Sequence, residues 1–251
     1  MMLEGFAANL TLILAVFLLA GLIKGVVGLG LPTIAMGLLG LVMPPMQAAA
    51  LLIVPSAVTN LWQLADGRSP LPMLRRLWPM LLGIAAGTLG TAALMRGTEL
   101  PQATQLLGAA LVIYAALGLA AVHFHVAPAH EPWLAPLVGT LTGAITAVTG
   151  VFVIPAVPYL QAIGLERDDL VRALGLSFSM STLALALSLG QHGSLLEPQV
   201  LGTSALALIP ALLGMAGGQW LRRRISPERF RRWFFIGLLL LGSDLALRGW
   251  F

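Results

Sequence analysis

The chain of 251 residues has no cysteine, which excludes disulfides, thiolate chemistry and cysteine-ligated metal. Charge is almost as scarce: only 10% of residues are Asp, Glu, Lys or Arg, against about a quarter in a soluble domain. Lys24 is the only lysine. The phosphate-cradling pattern Gly-x-x-x-x-Gly-Lys-Ser/Thr is missing, so this chain carries no ATPase motif. Neither His-Glu-x-x-His nor Gly-x-Ser-x-Gly occurs, so the reading is of a non-enzyme without cofactor or metal. His123, His125 and His130 share one loop in which only Glu131 has ligand-like spacing, and His192 falls in another loop. No polar stretch is long enough for a second, soluble domain.

What is present is apolar. Hydrophobic residues make up 58% of the chain and the mean hydropathy is +0.92, which predicts an all-α polytopic membrane protein. The sequence pI of about 10.6 does not point to nucleic acid. The arginines gather in two loops between apolar segments, as Lys and Arg do on the cytoplasmic side of membrane proteins. Residues 1–9 carry Glu4 and no basic residue, unlike a secretory signal, so 6–23 is expected to be a retained first helix.

Crossing the hydrocarbon takes roughly 20 apolar residues. That length predicts ten elements. The first five are 6–23, a short 31–43, 45–65, 78–95 and 102–122; the second five are 133–150, a short 151–164, 169–190, 199–220 and 231–249. The two sets divide the chain into repeats at 1–125 and 126–251, joined by the linker 123–132. The basic loops do not correspond. One (Arg68, Arg75, Arg76) follows the third element of the first repeat, and the other (Arg222–Arg224, Arg229, Arg231, Arg232) follows the fourth element of the second. If both face the cytoplasm, the repeats are inverted and both termini lie outside it.

The short elements follow a duplicated signature. Gly21-x-x-x-Gly25 runs through Gly28-Leu29-Gly30-Leu31 to Pro32; Gly139-x-x-x-Gly143 runs through Thr149-Gly150-Val151 to Pro155. Broken helices in corresponding positions of two halves point to a carrier's substrate site. Helix ends beginning near Pro32 and Pro155 would aim free N–H groups at an anion near the midplane. For Gly21, Gly25, Gly139 and Gly143 the favoured reading is structural, as small-residue packing seams; for Gly28, Gly30 and Gly150 it is the site.

These stretches, Lys24 to Pro32 and Thr149 to Leu165, with Ala173 and the serines after it, resemble the two signatures of the TauE/SafE sulfite exporter family. The resemblance covers nearly the whole chain. It implies a bacterial inner-membrane permease for sulfite or an organosulfonate. Members often carry three glycines at the break; here Leu29 interrupts the first run and Gly150 stands before Val151, so the substrate does not carry over.

Other candidates come from polarity. Lys24 either meets an anion or snorkels to the interface. Arg172 aligns with Gln47; it either grips an oxyanion with its fork or pairs with Glu166, Asp168 or Asp169. Ser56, Asn60 and Gln63 share a helix face, as do Ser177 and Ser181; Asn60 and Ser177 are expected at the pocket and the others in interhelical hydrogen bonds. Among the carboxylates only Asp244 is expected inside the bilayer. The function expected is alternating-access transport of a small anion. The alternatives are an anion pore, a carboxylate carrier and a non-transporting scaffold. Direction, coupling and homo-oligomerisation stay open.

Overall fold

The computed structural model describes residues 2–65, 71–95, 100–120, 124–191 and 198–248. Asp66, Arg68, Arg96, Glu99, His123, His192 and Glu197 lie outside the described residues. Within them the chain is an all-α polytopic membrane protein of ten helices. In order these are α1 (Met2–Val27), α2 (Leu31–Leu39), α3 (Pro45–Ala65), α4 (Leu71–Met95), α5 (Ala103–Leu119), α6 (Glu131–Thr149), α7 (Ala156–Ala162), α8 (Arg167–Gln191), α9 (Pro198–Arg222) and α10 (Pro227–Leu247). Five of the described helices are long and apolar enough to cross a membrane. Leucines that water would not tolerate face outward, among them Leu94 at 85% and Leu240 at 69% exposure.

Two boundaries differ from expectation in the same way. α4 begins at Leu71, not 78, and α10 at Pro227, not 231, so Arg75, Arg76, Arg229, Arg231 and Arg232 are helical rather than in loops. Arginine is a good helix former whose head extends to water from an apolar stem, so a helix runs past the point where hydropathy falls. The start of α10 has its own signal: Ser226 is the N-cap, its hydroxyl accepting from Arg229 N, and Pro227 opens the first turn. The short elements are shorter than expected. Nine residues in α2 and seven in α7 rise about 14 Å and about 11 Å, under half the hydrocarbon core. Both are buried in protein, which is where interrupted backbone survives in a bilayer.

Packing pairs helices across the two halves. α1 lies on α9 and α4 on α6; α5 meets α10 and α3 meets α8; α3 also touches α9, as α8 touches α4. Exchanging the first five helices with the last five reproduces this set. The two closest pairs are glycine seams. A Cβ at Gly21 or Gly25 would strike the carbonyls of Ala211 and Met215, and one at Gly214 or Gly218 those of Leu18 and Leu22. Across the other seam, Gly139 and Gly143 oppose the carbonyls of Met80 and Ile84, while Gly83 and Gly87 oppose Pro136 and Thr140. Small residues at this spacing let helices touch backbone to backbone, where dispersion replaces the hydrophobic drive that lipid cannot supply. The residues matched across both seams rise together along the chain, so each pair is parallel. α3 and α8 are antiparallel, with Gly175 beside Gln63 and Leu64, and Asn60 beside Thr182.

Nearly all the arginine among the described residues lies at one end of the bundle. Arg76 bonds Glu131 in two places and donates to Ile163 O, joining the starts of α4 and α6 to the end of α7. Val126 N donates to Ala162 O at the same end. The arginines of α9 and α10 are there too. So are all five tryptophans among the described residues, Trp62, Trp78, Trp133, Trp220 and Trp233, each at least half exposed. Arg224 stacks over Trp220 at 4.1 Å. This is the aromatic belt of a membrane interface.

A leucine at Gly21 must displace the backbone of α9, so Gly21→Leu is expected to cost about 3 kcal/mol or more. Gly90 faces open space, and Gly90→Ala is expected to be neutral or to stabilise by roughly 0.5 kcal/mol. Thermal unfolding in detergent, followed by tryptophan fluorescence, checks both.

Candidate functional site

Pro55 sits inside α3, and a proline removes the donor that would serve the carbonyl one turn back. Ser204 of α9 fills that gap: its hydroxyl donates to Leu51 O at 2.8 Å and accepts from Val54 N at 3.3 Å. One turn on, the Thr59 hydroxyl donates to Pro55 O at 2.7 Å. With its hydrogen committed, Thr59 presents only lone pairs to Lys24.

Lys24 does not snorkel. It is 3% exposed, and its Nζ donates to Thr59 Oγ1 at 3.0 Å and to Asn60 Oδ1 at 2.5 Å. Asn60 Nδ2 then reaches Thr182 Oγ1 on α8 at 3.5 Å, and Thr182 donates to Phe178 O at 2.7 Å. Every bond in the network points away from the ammonium and ends on a carbonyl. No carboxylate pairs with Lys24 among the described residues. A buried cation with neutral partners is costly unless another anion completes it. Lysine has three donors, and two are engaged here.

Beside it is a cavity of about 300 Å³, at the arginine-rich end, between the C-terminal ends of α1, α3 and α9 and the first turns of α8. Lys24, Gly28 and Arg172 all line it. Arg172 Nη1 bonds Asp169 Oδ1 at 2.8 Å, so the expected ion pair forms, while Nε is buried and has no partner among the described residues. Gly28 ends α1 with φ +80, its N–H on Lys24 O at 2.7 Å. Left-handed backbone at that position is a common helix stop, and glycine adopts it without strain. Its carbonyl accepts from Gln63 Nε2 at 2.9 Å.

The remaining expected residues are elsewhere. Gly30 caps α2 and packs on Ile23 and Phe234, with Pro32 buried in the first turn. Gly150 caps α6 against Met36 and Ala49. Thr149 bonds Ile145 O and Val151 N, and Pro155, after a cis peptide, precedes α7. None of these lines the cavity, and α7 at seven residues is no counterpart to α2 as a helix end. Ser177 is buried with a hydroxyl that has no partner among the described residues. Gln47 is exposed on the first turn of α3, thirteen residues or about 20 Å along the helix from Asn60. Asp244 is not alone in the bilayer: it pairs with Arg248 at 2.9 Å, and Arg248 also donates to Leu41 O.

Gln63 makes the interhelical hydrogen bond expected of it and also lines the cavity; Gln219, Asp168 and Arg222 were not expected on its wall. Gln219 is an amide at the end of an apolar helix, and a search for any polar side chain near Lys24 in depth would have found it.

A family model described as Sulfite exporter TauE/SafE matches residues 13–245. No curated protein and no solved structure matches the chain.

Replacing Asn60 by Leu strips the buried ammonium of its shortest bond, an expected loss of about 3 kcal/mol. Lys24→Met is expected to be nearly neutral, because relief of the buried charge offsets the Asn60 Oδ1 acceptor left without its donor. Adding Lys24→Met to Asn60→Leu restores most of the loss, and a double-mutant cycle of melting temperatures measures the coupling.

Proposed function

The chain belongs to the sulfite exporter TauE/SafE family, a family of transporters and not of enzymes, and on that premise we propose that it is a secondary carrier for a small anion, sulfite or an organosulfonate, across the bacterial inner membrane. One observation carries this reading: a buried ammonium held by neutral oxygens, beside a polar cavity that Arg172 and Arg222 share. Such a site is preorganised for an oxyanion, since its charge is already desolvated and its geometry already fixed.

The two five-helix halves are inverted repeats. The exchange symmetry of their packing supports this, as do the opposed directions of the central helices α3 and α8. The arginine- and tryptophan-rich end is cytoplasmic, which makes both termini periplasmic. The anion therefore enters the cavity from the cytoplasm. Alternating access is the exchange of environments between the breaks: the first lines the cavity while the second is closed on Met36 and Ala49. Export down the anion's gradient gains about 2.3 kcal/mol per charge per 100 mV from an inside-negative potential.

Proteoliposomes holding the purified chain are expected to take up sulfite. Lys24→Met should lower the flux at least tenfold with the melting temperature unchanged. Absence of flux for every small anion offered sinks the carrier reading, and a continuous voltage-dependent current replaces it with a pore. Topology has a separate check. The native chain lacks cysteine, so single cysteines at positions 75 and 224 are expected to react only with reagent on the cytoplasmic side; reaction from the periplasm reverses the orientation.

A further inference from the structure

We propose that the anion recognised in the Lys24–Arg172 cavity carries its own hydrogen-bond donor, which it gives to Gln63 Oε1. The inference rests on the anion-carrier reading and adds to it the chemistry of the ligand.

The orientation of the Gln63 amide is fixed by its neighbour. Gly28 O is a carbonyl and only accepts, so the NH2 group must be the end that faces it, at 2.9 Å. The amide oxygen then points the other way. It is buried, belongs to a residue that lines the cavity, and has no donor among the described residues. Leaving a buried acceptor unpaired costs about 1–3 kcal/mol, and native proteins rarely do so without a reason. No donor on that wall reaches it: Lys24 bonds Thr59 and Asn60, and Arg172 Nη1 bonds Asp169.

The wall therefore offers two kinds of contact. Lys24 has a third N–H, and Arg172 Nε is buried and unpartnered, so two cations have donors left to give. Gln63 Oε1 has an acceptor left to fill. Asp168, on the same wall, adds a second acceptor and offsets one of the three positive charges of Lys24, Arg172 and Arg222. A ligand that satisfies all of these is an anion with oxygens at one side and an N–H or O–H at another. Singly protonated oxyanions, aminosulfonates and hydroxysulfonates qualify. Sulfate, nitrate and simple alkylsulfonates do not, because they leave Gln63 unpaired, and a site built around a hydrogen bond rejects the analogue that lacks it.

Sulfamate and methanesulfonate isolate this term. Both are tetrahedral monoanions of nearly equal size at neutral pH, and they differ in an NH2 against a CH3. Calorimetric titration of the full chain in nanodiscs is expected to show sulfamate binding about tenfold tighter, the worth of one buried hydrogen bond. Gln63→Met removes the acceptor at similar volume; there the ratio should fall below about twofold. Equal affinities in the unmutated chain overturn the proposal by themselves, whether or not the variant folds. A preference for sulfamate that survives in Gln63→Met overturns it as well. Equal binding of the two anions, lost in Lys24→Met, removes the donor requirement and keeps the anion carrier. Failure of sulfite, sulfamate and methanesulfonate alike to bind removes both.

Discussion

Between α1 and α9 the space that side chains would fill is taken by the partner's backbone. Gly21 and Gly25 lie against the carbonyls of Ala211 and Met215, and Gly214 and Gly218 return the contact. Helices locked this way cannot rotate or slide without driving a carbonyl into a Cα. That fixes Lys24, which stands between the two glycines. At 100° per residue it sits beside the seam rather than in it, turned toward α3. The ammonium is therefore aimed at Thr59 and Asn60 whether or not a ligand is present. The charge alone would favour an escape to the interface. The seam and the two acceptors together hold it where it is.

The number and order of helices were legible because each is an apolar run of membrane length or an obvious fraction of one. α3 was placed at 45–65, as found. The edges of α4 and α10 were not legible from hydropathy, since a helix that ends in arginines continues past its apolar part. The seams were half legible. Gly21-x-x-x-Gly25 and Gly139-x-x-x-Gly143 were recognised as packing surfaces, and their partners on α9 and α4 repeat the same spacing in the sequence. Which pair meets which is a three-dimensional fact: α1 chooses α9, and α6 chooses α4. For Lys24 the sequence left two outcomes, because a helix end suits both snorkelling and burial. Asn60, a strong acceptor thirty-six residues away, decides between them.

The pairing of Gln47 with Arg172 teaches a different limit. The two positions align, yet α3 and α8 run antiparallel, so aligned residues fall at opposite ends of the bundle. A residue-by-residue correspondence between halves therefore does not gather side chains into one pocket. What gathers here is the end of three helices and the start of a fourth, and only Lys24, Gly28 and Arg172 of the expected set share it.

The two breaks are built alike and finished differently. α1 ends on Gly28 and α6 on Gly150, both left-handed, each with its N–H on the carbonyl four residues back. At those fourth positions stand Lys24 and Thr146. The second break satisfies itself: Thr146 donates to Thr142 O, with Val151 O 3.3 Å away, and Thr149 serves Ile145 O and Val151 N. Its polar atoms are spent, and it is packed shut. At the first break Thr33 donates to Gly30 O at 3.0 Å, which leaves Gly28 O to a side chain from elsewhere. Its Gly28 carbonyl is satisfied by Gln63 from another helix, and an amide that uses its nitrogen leaves its oxygen over. That leftover acceptor, on a residue lining the same cavity as Lys24, has no counterpart at the second break.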